Sequence, residues 1–152
     1  MNNKKYAPII LFVYARPHHT KKTIEALLDN SEAVNSDLII FSDGPKSNQE
    51  YQVVNEVRSY ISLITGFKSI TLHFNDSNLG LAESIIHGVT SILKKHEQVI
   101  VLEDDIVTSP FFLKYMNEAL EKYKNNNNVA SIHGYIYPVD ISLPETFFLQ
   151  GA

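Results

Sequence analysis

Apolar runs and stretches of helical spacing alternate along the chain. Four short apolar runs predict strands: PIILFVYA (8–15), SDLIIFSDG (36–44), SITLHFN (69–75) and QVIVLED (98–104). Helical patterns follow each of them, over 17–30, 48–64, 81–96 and 109–124. In the second, Val53, Val54, Val57, Tyr60, Ile61 and Ile64 recur on one face. Pro17 falls in the first turn of the first helix. Ser109 and Pro110 read as the N-cap and first residue of the fourth. Its Tyr115, Met116, Ala119 and Tyr123 are expected in the core. VASIHG (129–134) reads as a fifth strand.

This alternation predicts an α/β fold, built from βαβ units around a mainly parallel sheet with helices on both faces. The strand runs are almost continuously apolar, as sheets covered on both sides require. The chain shows no repeat and no internal domain boundary. Its tail, YIYPVDISLPETFFLQGA, has no clean period and reads either as a docked edge segment or as an interrupted chain with an exposed apolar end.

Composition narrows the picture. The 152 residues suit one domain with a proper core. A net charge of −4 argues against a general nucleic-acid binder. The absence of cysteine excludes disulfides, thiolate metal sites and thiol chemistry. No apolar run is long enough to span a bilayer, so no transmembrane segment is expected. The apolar run after Lys4 and Lys5 is followed by Arg-Pro-His-His, not a small-residue cleavage site, and reads as a core strand, not a signal peptide.

Candidate chemistry collects after the strands. In open parallel sheets, ligands sit outside the carboxyl ends. There the chain places Tyr14-Ala15-Arg16, Ser42-Asp43-Gly44, the loop Asn75 to Gly80, Glu103-Asp104-Asp105 and His133-Gly134-Tyr135. Three consecutive carboxylates behind VIVL repel one another unless a cation neutralises them, which suits Mg²⁺ or Mn²⁺. Alternation along a strand would put Glu103 and Asp105 on one side and Asp104 on the other. The plainer reading is acids favouring a following helix dipole. NDSNLG (75–80) is either a βα turn or an anion loop that offers amides at a helix start. SDGP (42–45) could equally be a plain turn, and Arg16 could cap a carbonyl or pair with a phosphate. The six histidines show no zinc spacing, and no phosphate-loop, dinucleotide or nucleophile-elbow motif is present.

These segments, in order, resemble the donor-binding half of a GT-A-fold glycosyltransferase. They are most similar to family 2-like bacterial enzymes, with similarity to the animal N-acetylglucosaminyltransferase I group. The resemblance rests on PIILFVYARPHHTKKTIEALL, DLIIFSDGPK, NLGLAESIIHGV, VIVLEDDIVTSPFFLKYMNEAL and VASIHGY, with LEDDIVTSPFFLKYM resembling the DXD-type motif and its following helix. It implies a GT-A, Rossmann-like, three-layer α/β/α sandwich. It implies that Asp105 holds Mn²⁺ or Mg²⁺ at a nucleotide-sugar diphosphate, with Asp104 near the ribose and Glu103 supporting the ribose or sugar side. Tyr14, Ala15 and Arg16 would lie near base and phosphates, Asp43 at base or ribose, and Asn78, Leu79 and Gly80 along the nucleotide pocket.

The function implied is metal-dependent, inverting sugar transfer from a nucleotide-sugar, a UDP-sugar first, to a glycan or lipid-linked acceptor. The implied place is cytoplasmic, at the inner face of a membrane. In the family the stretch resembling FFLQGA leads into a tryptophan-rich acceptor segment. This chain has no Trp, so 1–152 is expected to be the nucleotide-sugar-binding part, shortened before the acceptor half, with the catalytic base unassigned. Two alternatives stand beside this: a non-catalytic nucleotide-sugar-binding or assembly module, for which the C-terminal region is the expected surface for pairing with a second copy, and a Mg²⁺-dependent phosphoryl-transfer enzyme.

Overall fold

The computed structural model describes residues 6–135. Its elements, in chain order, are β1 (Ile9–Val13), α1 (Pro17–Leu28), β2 (Asp37–Ser42), α2 (Tyr51–Ile61), β3 (Ser69–Phe74), α3 (Leu81–Leu93), β4 (Ile100–Glu103) and α4 (Phe112–Tyr123). All three strand pairings are parallel, and the order across the sheet is β3-β2-β1-β4. The expected α/β architecture is therefore present: a Rossmann-like parallel sheet between helical layers.

The alternation of side chains along the strands builds both layers. Ile9, Leu11, Val13, Leu38 and Ile40 pack with Ile24, Leu27, Val57, Ile61, Leu113 and Met116 of α1, α2 and α4. On the other face, Ile10, Phe12, Ile39 and Phe41 pack against Ile85, Val89 and Ile92 of α3. Burying each such side chain contributes about 1.5–3 kcal/mol, so the two central strands dominate the core. The edge strands β3 and β4 are only partly covered; Val101 of β4 is 41% exposed.

Buried asparagines tie α4 to the segment ahead of β1 and to the end of α1. Asn117 Oδ1 accepts from Ala7 N at 2.9 Å, and Asn30 Oδ1 accepts from Leu113 N at 2.9 Å. Gly88 lets α3 approach the sheet. A Cβ there would lie 2.8 Å from the Phe12 ring.

Three expectations need correction. The fourth helix starts at Phe112, because Ser109 Oγ accepts from Phe111 N and Ser109 O from Phe112 N in a turn ahead of it. Tyr115 is exposed; it reaches outward to donate to His133 O at 3.2 Å. Residues 129–134 form no strand. They lie over α4 instead, where a Cβ on Gly134 would meet the Phe112 ring at 2.5 Å. The tail from residue 136, with the apolar end and the pairing surface expected of it, lies outside the described residues.

Candidate functional site

Because every strand runs the same way, all four carboxyl ends meet at one edge. The chain steps outward from β1 to β2 to β3, then returns through α3 to β4 on the other side of β1. The crevice between β1 and β4 is thus the topological switch point, where ligands of such sheets bind.

Asp104 lies in that crevice and is 2% exposed. Its Oδ2 accepts from Tyr14 N at 3.3 Å, and its Oδ1 accepts from Arg16 Nη2. Its carbonyl accepts from Thr23 Oγ1 of α1 at 2.9 Å, which pins the turn to the helix. Arg16 Nη1 also donates to Asp105 Oδ2 at 2.9 Å. One guanidinium therefore bridges both acids. Burial works against the Arg16 charge, but Asp104 and then Asp105 outweigh it and hold its pKa above the ordinary value. The Arg16 side chain remains 45% exposed and Asp105 41%.

The triplet does not continue the strand alternation. β4 stops at Glu103, whose carbonyl accepts from Ile106 N at 3.3 Å in a turn. Glu103 is in register with Phe12, hence on the α3 face of the sheet. Asp104 turns toward β1, and Asp105 toward solvent and Arg16.

Asp43 is the second buried acid, 7% exposed, at the end of β2. Its Oδ1 accepts from Gly44 N at 3.0 Å, Leu79 N at 2.9 Å and Asn75 Nδ2 at 3.2 Å; its Oδ2 accepts from Gly80 N at 2.9 Å. The anion expected at the 75–80 loop is thus supplied from within the chain: Asp43 occupies the amides that would otherwise face a ligand. Asn78 Nδ2 reinforces the same junction by donating to Gly44 O at 2.8 Å. The two loops approach so closely that a Cβ on Gly44 would lie 2.5 Å from the Ser77 carbonyl carbon. Gly80 caps α3 at φ 80°, ψ 161°, a conformation open essentially to glycine alone.

Between these two acids lies a cavity of about 340 Å³. Phe12, Val13 and Phe41 form its apolar side. Tyr14, Arg16 and Lys46 line it, as do Asp43, Asn78 and Gly80; Leu81 and Ser84 come from α3, Glu103 from the end of β4 and Asp104 from the turn after it. Phe12 and Phe41 stack with centroids 5.4 Å apart. Tyr14 Oη donates to Glu50 Oε2 at 2.7 Å. Burial, and then that carboxylate, hold the Tyr14 pKa above its ordinary 10.0, so it stays a neutral donor.

The fold therefore gathers Tyr14, Arg16, Asp43, Asn78, Gly80, Glu103 and Asp104 around one cavity. Ala15, half-buried between Tyr14 and Arg16, and Asp105 do not line it. Among the described residues, no three His, Cys, Asp or Glu side chains come together as a metal-holding group. Asp104 and Asp105 nonetheless fit a hard cation that takes one or two carboxylates and completes its shell with phosphate oxygens, because their shared partner already marks a place for positive charge. No described helix is long and apolar enough to cross a membrane.

Sequence reasoning missed Lys46, Ser84, Phe12 and Phe41 as lining residues. It also missed Arg58, whose Nη2 donates to Asn75 O at 2.6 Å and Asp43 O at 3.2 Å and ties the ends of β2 and β3 together. Nothing in local pattern marks a helical arginine as a clamp on loops. No protein-family model matches the chain, and no curated protein matches it.

Proposed function

We propose that this chain is the donor-binding part of a metal-dependent, inverting glycosyltransferase of the GT-A type. It would take a nucleotide-sugar, a UDP-sugar first, and pass the sugar to a glycan or lipid-linked acceptor at the cytoplasmic face of a membrane. One observation carries the reading. At the switch point, a cavity with an aromatic side adjoins two adjacent carboxylates joined by a partly exposed arginine.

The cavity is near the low end of the roughly 300–1,000 Å³ typical of ligand sites, which suits the base and ribose; the diphosphate would lie outward, by Arg16 and Lys46. Asp104 and Asp105 would hold Mn²⁺ or Mg²⁺ against it. When bound, the cation offsets negative charge developing on the leaving diphosphate. Arg16, released from the acids, would pair with a phosphate oxygen, which its planar fork fits. Asp105, exposed and held here by Arg16 alone, is the more available of the two acids. The acceptor hydroxyl attacks the anomeric carbon as the bond to the diphosphate breaks. No described residue is assigned as the base that takes its proton.

The test is calorimetric titration with UDP and UDP-sugars, with and without Mn²⁺, on the wild type and on Asp105→Ala. Metal-dependent binding that the variant loses is the expected result. Binding that ignores both metal and Asp105 would remove the transferase reading. Metal-dependent binding without transfer to any acceptor would favour a binding module.

A further inference from the structure

Two buried side-chain oxygens among the described residues have no hydrogen-bond partner, Ser84 Oγ and Thr108 Oγ1. Ser84 is the one that lines the cavity at the switch point, and it is 7% exposed. It sits in the first turn of α3, where its own N–H donates to Gly80 O at 3.0 Å. A helical serine either points its hydroxyl to solvent or turns it back onto a carbonyl one turn earlier; this one, buried and unpartnered, does neither. Serine is also a poorer helix former than alanine. The free protein thus carries both a propensity cost and an unsatisfied buried hydroxyl, with no return within the described chain.

Its position says what could satisfy it. Gly88, one turn further along the same helical face, lies directly against the Phe12 and Phe41 rings. Ser84 is therefore above the outer end of that aromatic pair, where the cavity opens toward the strand ends. Asp43 cannot compete for the same ligand edge without giving up loop amides, since both its oxygens are engaged. Building on the nucleotide-sugar reading above, we infer that Ser84 reads the base: its hydroxyl bonds the polar edge of a planar heterocycle lodged beside Phe12 and Phe41. A hydroxyl both donates and accepts, so it can meet either a carbonyl or an N–H edge. Phe41 is stacked between Phe12 and His73, so the heterocycle meets that ring at its edge, an apolar contact that does not depend on which base is bound. Ser84 is in this view a specificity-determining residue.

The test titrates the whole chain, with Mn²⁺, against UDP, CDP, GDP and ADP, in the wild type, Ser84→Ala and Ser84→Cys. The best-bound diphosphate should weaken by roughly 3- to 10-fold in both variants, the worth of one hydrogen bond. The others should change by less than about twofold, so that base discrimination flattens. Without ligand, Ser84→Ala should melt roughly 2–4 °C higher, because a buried unsatisfied hydroxyl is gone. A wild type that discriminates among bases, with both variants matching it on all four, would overturn the assignment and leave the nucleotide site standing. A wild type that binds none of the four would remove the nucleotide reading itself, and this inference with it.

Discussion

Asp43 and Asp104 end two strands of one sheet, and both are buried, but they are held in different ways. Asp43 is surrounded by backbone N–H groups of Gly44, Leu79 and Gly80. Those donors are fixed in the chain, and no ligand can replace the carboxylate without dismantling the loop. Asp104 takes one backbone N–H, from Tyr14, and otherwise the guanidinium of Arg16. That partner stands on a flexible, partly exposed stem and can leave. One acid is consumed in building the site; the other shares a partly exposed guanidinium with Asp105, which the proposed function reads as an exchangeable cation. Burial alone does not separate a structural acid from a functional one. The nature of its donors does.

Removing each acid separates them most sharply. Asp43→Ala strands three backbone N–H groups, and its expected cost is about 3 kcal/mol of stability, measured by urea unfolding. A change under about 0.5 kcal/mol, the range of ordinary surface substitutions, would mean that the 75–80 loop stands without it. Asp105→Ala is expected to leave stability within that same 0.5 kcal/mol, since its exposed pair with Arg16 contributes little. Metal-dependent nucleotide binding should nevertheless fall by tenfold or more, about 1.4 kcal/mol.

Arg16→Met probes the exchangeable cation itself. Without the guanidinium, the two carboxylates repel and the buried Asp104 loses its charged partner; stability should drop by about 1–3 kcal/mol. Added Mn²⁺ should then bind and raise the melting temperature more in the variant than in the wild type. Equal Mn²⁺ response in the two proteins would show that Arg16 and the metal do not share a place.

The smallest effect lies far from the site, on the β2–β3 edge. Burial alone would raise the Asp37 pKa, but the Ser69 hydroxyl and the Lys68 ammonium at 3.1 Å outweigh it and hold it below 3.8. The contribution is present above the unfolded value and is lost as pH falls through the folded one. Asp37→Asn should therefore destabilise by a few tenths of a kcal/mol at neutral pH, as exposed pairs do. The gap to the wild type should close on acidification below about pH 4. A gap that persists in acid would point to the amide's packing, not to charge.

Much of this was legible along the chain. The runs IILFV and DLIIFS announce covered strands because their side chains enter both layers, and four βα repeats imply a shared carboxyl edge before any coordinate is known. The edge in turn told where to look for Tyr14, Arg16, Asp43 and the acidic triplet. What failed to show were terminal details. Ser109 and Pro110 have helix-start chemistry but sit in a turn, and VASIHG has strand-like residues but does not pair with the edge strand β4; Gly134 and His133 settle on α4 instead.

The sequence by itself determined the element order, the parallel sheet and the placing of polar residues after each strand, since these follow from local periodicity and from side chains that must be buried. Only the tertiary structure decided how the acids differ. Asp43 and Leu79 are 36 positions apart and Arg16 and Asp104 are 88 apart. Whether a carboxylate meets fixed amides or a movable guanidinium depends on which distant loops the strand order brings together. The unpartnered Ser84 follows the same rule: its residue type is ordinary in a helix, and its lack of a partner exists only where α3 lies across Phe12 and Phe41.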